Sequence, residues 1–168
     1  MTRIINLIIT CFILAATAVA QSDSSDKTPS IILNDLNGKI IKLADYKGKI
    51  ILVNFWAMWC PPCLAEIPEL IKWQKEFKDN GLQIIGITYP PTNRGKVRTF
   101  VRKMKINYPI LVGSKKTKAI FDSGENLPLT VIIDEEGIVK ELIEGILFSE
   151  EFDEKVKPLL KISKVNIK

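Results

Sequence analysis

The residues of this chain best suited to chemistry are two cysteines that enclose a pair of prolines, Cys60-Pro61-Pro62-Cys63. A disulfide between them would close a ring over only two intervening residues, so it would restrain little chain entropy in the unfolded state. After residue 20 the chain has no other cysteine, which argues against a scaffold held together by disulfides. We therefore interpret Cys60 and Cys63 as a redox pair rather than a structural cross-link.

The same C-x-x-C spacing also occurs in zinc sites, where the metal normally takes four ligands. The sequence contains no histidine and, beyond residue 20, no second cysteine pair. We therefore expect no structural metal, and the residues give no indication of a cofactor.

The pattern around the pair indicates a strand, a helix and a second strand. Residues 50–55 form an almost continuous apolar run, as in a strand buried on both faces. From Cys60 onward apolar residues follow helical spacing up to Asn80-Gly81, and residues 82–88 form a second apolar run. The cysteines thus lie at the start of a helix, where free N–H groups and the helix dipole stabilise a thiolate. The fold class is α/β.

The rest of the chain adds elements on both sides of this unit. The patterns predict a hairpin over residues 31–43 with Asn37-Gly38 in its turn, a helix over 97–104, a strand over 110–112, a short helix over 117–121, a hairpin over 131–143 and a last helix capped by Ser149 that runs to about residue 160.

The N-terminal segment has the features of a secretory signal. Arg3 is followed by an apolar run without acidic residues, and Ala18-Val19-Ala20 forms a cleavage site of small residues. We predict a signal peptide over residues 1–20 that carries Cys11 away, a flexible leader over 21–29, one domain over 30–160 and a basic tail over 161–168. An uncleaved membrane anchor is the alternative. The mature protein is expected to be periplasmic or otherwise extracytoplasmic.

The charge balance is mildly basic. The chain has 24 Lys and Arg against 19 Asp and Glu, and removal of residues 1–20 takes away only Arg3, so the net charge falls from +5 to +4. Dispersed charges of both signs indicate a solvated surface and no nucleic acid partner. We expect a monomer. Basic residues gather between Arg94 and Lys105, where a solvated helix face is the preferred interpretation.

The segment from Val53 to Pro68, VNFWAMWCPPCLAEIP, resembles the thioredoxin superfamily and its exported TlpA/ResA-like branch. The resemblance covers roughly residues 30–160. It implies a thioredoxin-like fold, with a central mixed β-sheet flanked by helices, an N-terminal β-hairpin and an inserted helix. The basic helix takes the place of that insertion, so contact with an acidic partner stays open.

The resemblance also implies an activity. Proteins of this branch are thiol–disulfide oxidoreductases. The resemblance implies that this chain reduces protein disulfides, and that a membrane electron donor of the thiol-reductant transporter type then returns it to the dithiol form. Apocytochrome c cysteines are implied as one substrate, which would place the protein in cytochrome c maturation.

Roles for three residues follow from the resemblance. Cys60 is the expected exposed nucleophile and Cys63 the resolving thiol. Glu66, three residues further along the same helix, is the expected proton handler for Cys63, because Asn54 stands where the family often has a buried aspartate. A solvated helix glutamate is the alternative for Glu66. If Glu66 is partly buried, its pKa should rise.

Further positions near the pair also receive roles. Pro128 corresponds to the family's cis proline, so the Leu127 backbone is expected to pair with an extended substrate segment; an ordinary trans proline is the alternative. Trp59 is expected to form the substrate-binding rim, with Pro62 and Met58 as weaker candidates; a plain core aromatic is the alternative for Trp59. Asn54, Trp56 and Pro68 are expected to be structural residues near the site, and Pro68 should kink its helix.

Two rival functions remain. A peroxiredoxin-like peroxidase shares the fold. Proteins of that family have a Thr/Ser-x-x-Cys motif, whereas the residue three before Cys60 is Ala57. The other rival is a redox-inactive or metal-carrying binding module, although copper carriers of related fold need a histidine.

Overall fold

The computed structural model describes residues 30–121 and 126–161. The predicted signal peptide, the leader and residues 162–168 of the tail lie outside this range. Lys161, which the sequence assigned to the tail, is held against Asn80: its amide donates to the Asn80 carbonyl at 3.0 Å, and its own carbonyl accepts from Asn80 Nδ2 at 3.2 Å.

The described elements alternate between strands and helices much as the sequence patterns predicted. In chain order they are β1 (Ile32–Asn34), β2 (Ile40–Lys42), a 3-10 turn (Leu43–Tyr46), β3 (Ile50–Trp56), α1 (Pro61–Phe77), a 3-10 turn (Lys78–Asn80), β4 (Leu82–Thr88), α2 (Arg94–Met104), β5 (Ile110–Val112), α3 (Lys115–Ala119), β6 (Leu129–Ile133), β7 (Val139–Glu144), α4 (Ser149–Lys155) and a 3-10 turn (Lys157–Leu159).

Five strands form a central mixed sheet in the order β5-β4-β3-β6-β7. Strand β3 pairs in parallel with β4 and antiparallel with β6, so it lies at the centre. Every residue of β3 is buried, which explains its continuous apolar run. The predicted fold class, with its separate N-terminal hairpin of β1 and β2, is confirmed.

Two hydrophobic clusters cover the two faces of the sheet. On one face α1 and α4 pack together, and Trp73 of α1 stacks on Phe152 of α4 with ring centroids 4.2 Å apart. The opposite face carries Phe55, Val131 and their neighbours, which pack against the hairpin and Phe121. The α1 face also contains the polar residues described below, because side chains of β3 alternate between the two faces.

The last helix is shorter than predicted. It begins at Ser149 with Phe148 in the N-cap position, so the prediction that Ser149 is the cap was wrong. The helix ends at Lys155 and a 3-10 turn follows. Pro158 explains the early end, because it lacks an amide hydrogen and disfavours helical geometry in the residue before it.

Candidate active site

The cysteine pair lies in the connection from the central strand to α1. A turn closed by the Cys60 amide, which donates to the Ala57 carbonyl at 3.2 Å, follows the end of β3. Cys60 is the N-cap of α1 and Cys63 is in its first turn. The two form a disulfide with their Cα atoms 5.3 Å apart. The structure therefore describes the oxidised form of the pair.

The helix N-terminus acts on the sulfur of Cys60. Its Sγ accepts a hydrogen bond from the Cys63 amide at 3.2 Å. Pro61 and Pro62 have no amide hydrogen, so Cys63 provides the first N–H of the helix. A thiolate at Cys60 would be stabilised by that N–H and by the helix dipole.

Cys60 is less accessible than the sequence suggested. Only 5% of Cys60 is exposed, against 0% for Cys63, so the expected exposed nucleophile is a buried residue in the disulfide form. Its place at the N-cap explains this, because the sulfur turns back over the first helical turn.

Glu66, three residues after Cys63 on α1, is buried and is not a solvated helix residue. It is 2% exposed, and both carboxylate oxygens accept hydrogen bonds: Oε1 from Asn54 Nδ2 at 2.7 Å and Oε2 from the Leu147 amide at 3.2 Å. Burial raises the pKa of Glu66 from 4.5 to about 7, although the two hydrogen bonds act in the opposite direction. Glu66 can therefore gain or lose a proton near neutral pH.

Asn54 connects Glu66 to the sheet. The amide of Asn54 is buried and donates to Thr130 Oγ1 at 3.1 Å as well as to Glu66. Thr130 is the register partner of Asn54 on β6. Asn54 stands where the family often has an aspartate, an acid that Glu66 is expected to replace. The structure gives Asn54 a role of its own, because its side-chain amide holds one carboxylate oxygen of Glu66 in place.

Sequence reasoning did not single out Thr130, Leu147 or Tyr108. Tyr108 is buried on the Glu66 side of the sheet; burial first, and then the nearby Glu66 carboxylate, raise the pKa of its hydroxyl. A signal for Thr130 exists, because it interrupts an apolar strand as Asn54 does. No sequence signal marks Leu147, since it contributes only its backbone amide.

Pro128 precedes β6 and its bond to Leu127 is cis. The Pro128 carbonyl accepts from the Gly145 amide at 2.9 Å. Within the described residues, neither the amide nor the carbonyl of Leu127 has a hydrogen-bond partner. No described group therefore competes with another chain for pairing at Leu127. A second cis bond, Pro90-Pro91, was not predicted.

The predicted rim residues differ in exposure. Trp59 is 52% exposed, and its ring packs edge to face on Tyr89 with centroids 6.5 Å apart. Pro62 is exposed at the start of α1. Both can contact a protein that approaches the disulfide, whereas Cys63 lies behind them.

Besides Asn54, two residues are expected to have structural roles near the site, and their burial differs. Trp56 is buried in the core, with its ring 5.8 Å from that of Phe100, and its Nε1 has no hydrogen-bond partner among residues 30–121 and 126–161. Pro68 is exposed within α1, and the helix continues through it to Phe77. The kink at Pro68 stays a prediction.

Metal binding has no visible ligand set in the described part of the chain. Within residues 30–121 and 126–161, no three side chains of histidine, cysteine, aspartate or glutamate lie close enough together to hold a metal ion. Over the same range, no helix has the length and apolar character needed to cross a bilayer.

Comparisons with known proteins agree with this geometry. A family model described as the AhpC/TSA family matches residues 25–142. The thioredoxin-like protein YneN of Bacillus subtilis (strain 168) is 33% identical over 132 residues, which cover 77% of this chain and 76% of YneN. The thiol-disulfide oxidoreductase ResA of the same organism is 32% identical over 126 residues, covering 75% of this chain and 69% of ResA.

A similar solved structure is that of a thiol:disulfide interchange protein, a thioredoxin family protein from Chlorobium tepidum TLS. It is 29% identical, has a TM-score of 0.72, and the match covers 82% of this chain and 99% of that one. A putative thioredoxin from Neisseria meningitidis is 25% identical with a TM-score of 0.72, over 80% of this chain and 90% of the other.

Proposed function

Because the chain belongs to the AhpC/TSA family and is a thiol–disulfide oxidoreductase of the ResA type, we propose that it acts as an extracytoplasmic reductase of protein disulfides. The observation that carries the proposal is the position of Cys60 Sγ, which accepts the first amide hydrogen of α1 while Cys63 lies behind it with Glu66 buried three residues further on. The site combines an activated thiol, a partner thiol and a proton acceptor.

The cycle begins from the dithiol form. Cys60 attacks one sulfur of a substrate disulfide as a thiolate, a new S–S bond joins Cys60 to the substrate, and the second substrate sulfur leaves as a thiolate that takes up a proton. The Cys63 amide, which meets Cys60 Sγ at 3.2 Å, stabilises the attacking thiolate.

The second step needs deprotonation of Cys63. This thiol is fully buried, and burial disfavours its charged form. Glu66 takes the proton, Cys63 attacks Cys60, and the remaining substrate sulfur leaves. Two electrons have then passed to the substrate, and Cys60 and Cys63 are joined in the disulfide that the structure describes.

The substrate is held by backbone pairing and by apolar contact. The amide and carbonyl of Leu127 offer hydrogen bonds to an extended segment beside the disulfide, in the manner of strand addition. Trp59 and Pro62 cover the approach from the side of α1. Together they select a flexible segment around the target cysteine rather than a rigid surface.

The cellular setting is part of the proposal. We infer export with cleavage after Ala20, re-reduction of the disulfide by a membrane electron donor of the thiol-reductant transporter type, action as a monomer and a role in cytochrome c maturation. Support comes from the N-terminal sequence pattern and from similarity to proteins named thiol-disulfide oxidoreductase ResA.

A trapping experiment in the native host tests the function. Cys63→Ser removes the resolving thiol, so we expect disulfide-linked complexes between Cys60 and substrate proteins. A reducing agent should separate these complexes. The matched control is Cys60→Ser/Cys63→Ser, which should give none. Identification of the captured proteins, with apocytochromes c among them, would support the specific role.

The same variants test the rival function of a peroxidase. Ala57 has no hydroxyl to assist peroxide chemistry at Cys60, so we expect slow reaction with hydrogen peroxide. Rapid stoichiometric oxidation of Cys60 by peroxide, with no trapped protein in Cys63→Ser, would overturn the reductase proposal in favour of a peroxidase.

A further inference from the structure

A pocket of about 370 Å³ has Met58, two residues before Cys60, in its lining, and the mechanism above makes no use of it. The other lining residues are Pro91, Thr92, Asn93 and Lys96. Met58 belongs to the same turn as Cys60, since the Cys60 amide closes that turn on Ala57.

The pocket is continuous with the predicted substrate rim. Trp59, the next residue after Met58, packs edge to face on Tyr89. Tyr89 leads through the cis Pro90-Pro91 bond into the pocket wall. A substrate segment that reaches the disulfide across Trp59 therefore continues over the pocket.

The segment that supplies most of the pocket lining carries charge of one sign. No acidic residue occurs in the sequence between Asp79 and Asp122. Exposed basic residues of α2 and its C-cap lie in this span, namely Arg94, Lys96, Arg102, Lys103 and Lys105. Arg98 differs from these, because its Nη2 donates to the Leu36 carbonyl at 2.6 Å and is thereby engaged.

Lys96 is the basic residue of the pocket itself. Within the described residues its side chain has no ion pair and no hydrogen bond, while its backbone amide is occupied by the Asn93 side chain at 3.0 Å. Met58 and Pro91 give apolar walls next to this ammonium group. Such a combination suits a carboxylate side chain whose methylene groups lie on the apolar wall.

We propose that this pocket binds an acidic side chain of the substrate protein, so that the preferred substrates carry glutamate or aspartate close to the target disulfide. The inference rests on the reductase function proposed above and names the class of substrate it favours. Lys96 is a specificity-determining residue in this view: it forms an ion pair with the substrate, and the basic face of α2 repels basic segments.

The test uses synthetic peptides that each contain one internal disulfide. Two peptides differ only in glutamate or glutamine at the positions flanking the cysteines, and the second-order rate of oxidation of the reduced protein is measured by acid quench and alkylation. We expect the glutamate peptide to react about two- to fivefold faster at an ionic strength of about 0.02 M, and the ratio to shrink at about 0.5 M.

Variants assign the preference to Lys96. In Lys96→Gln the ratio of the two rates should fall toward one, and in Lys96→Glu it should invert. The control is Lys75→Glu, which makes the same change of charge at an exposed position in the C-terminal half of α1 and should keep the native ratio. Glutamate can also change the intrinsic reactivity of the peptide disulfide, and this effect is the same for every protein variant. Comparing the rate ratio of the native protein with that of Lys96→Gln therefore cancels it.

Each outcome separates the two proposals. Failure of both peptides to oxidise the protein would contradict the reductase function. Reaction of both at equal rates, or an unchanged ratio in Lys96→Glu, would overturn the acidic-substrate inference while the function stands. Equal peptide rates combined with binding to phosphatidylglycerol vesicles that Lys96→Glu abolishes and Lys75→Glu preserves would assign the pocket to a membrane surface and also overturn the inference.

Discussion

Asn54 Nδ2 donates a hydrogen bond to Glu66 Oε1 over 2.7 Å, which ties the central strand to the helix that carries the cysteines. The contact joins residues that are twelve positions apart, both of them buried. It holds the Glu66 carboxylate in a fixed position and partly offsets the cost of burying it.

Replacement of Glu66 by glutamine should slow the resolving step. Glu66 ionises with a pKa of about 7, so in the native protein release of substrate from the mixed disulfide should accelerate as pH rises through that value. Glu66→Gln should lose this inflection and be slower by on the order of 100-fold at neutral pH. Rapid-quench measurement over a pH series checks this, and an unchanged profile would remove Glu66 from the mechanism.

The same carboxylate should govern stability in the oxidised form. Its folded pKa of about 7 lies above the ordinary 4.5, so between these values the unfolded chain releases a proton that the folded protein keeps. The free energy of unfolding should therefore fall as pH rises across this window, by at most about 3 kcal/mol. Urea unfolding at several pH values should show this slope in the native protein and a flatter one in Glu66→Gln.

Asn54→Asp should place two carboxyl groups in hydrogen-bond contact. They cannot both ionise at this distance, so the pair keeps a proton to higher pH than Glu66 does alone. We expect stability close to native near pH 5 and a loss of about 2–4 kcal/mol near pH 8. The double variant Asn54→Asp/Glu66→Gln has a single acid and should recover much of the loss; equal losses in the single and double variants would refute the explanation.

Gly86 packs closely against Ile110 and Trp56 in the core, where a side chain at this position has no room. A Cβ at Gly86 would lie 2.6 Å from Ile110 Cδ1 and 3.1 Å from Trp56 Nε1. Gly86→Ala should therefore reduce the free energy of unfolding by about 1–3 kcal/mol. Ile110→Val removes the Cδ1 atom that a Cβ at Gly86 would meet. The double variant Gly86→Ala/Ile110→Val should therefore lose less unfolding free energy than the sum of the losses in the two single variants.

A matched substitution tests the steric reason for the Gly86 effect. At Gly95, in α2, a Cβ would meet only Asn93 Oδ1 at 3.4 Å, an ordinary contact. Gly95→Ala should be neutral or stabilise by up to about 1 kcal/mol, because alanine is the better helix former. Equal destabilisation at both glycines in denaturant titration would argue against overpacking.

Trp59→Ala should affect recognition more than folding. The side chain is half exposed next to Cys60, so we expect reduction of a protein disulfide to slow roughly fivefold or more, with a smaller effect on a low-molecular-weight disulfide. The free energy of unfolding should change by less than about 1 kcal/mol. Ile32→Ala, at a 55% exposed apolar residue of the hairpin, is the control and should leave both rates unchanged.

The sequence alone determined the order of elements and the chemistry of the cysteine pair. A continuous apolar run predicted buried β3, the switch to helical spacing placed Cys60 at a helix start, and turn residues marked the boundaries. These are local properties of the chain, governed by the spacing of side chains along a strand or helix. Where a local signal was weak, as at the last helix, the predicted end was wrong.

Tertiary structure decided what surrounds the pair. The sequence could propose Glu66 from its spacing, but its burial and its raised pKa depend on Asn54 and on the Leu147 amide, the latter 81 residues away in the chain. The pocket at Lys96 likewise arises where separate segments meet, because Met58 and residues 91–93 line it together with Lys96. A proton affinity or a pocket is set by every group packed around a site, and the spacing of residues along the chain does not contain that information.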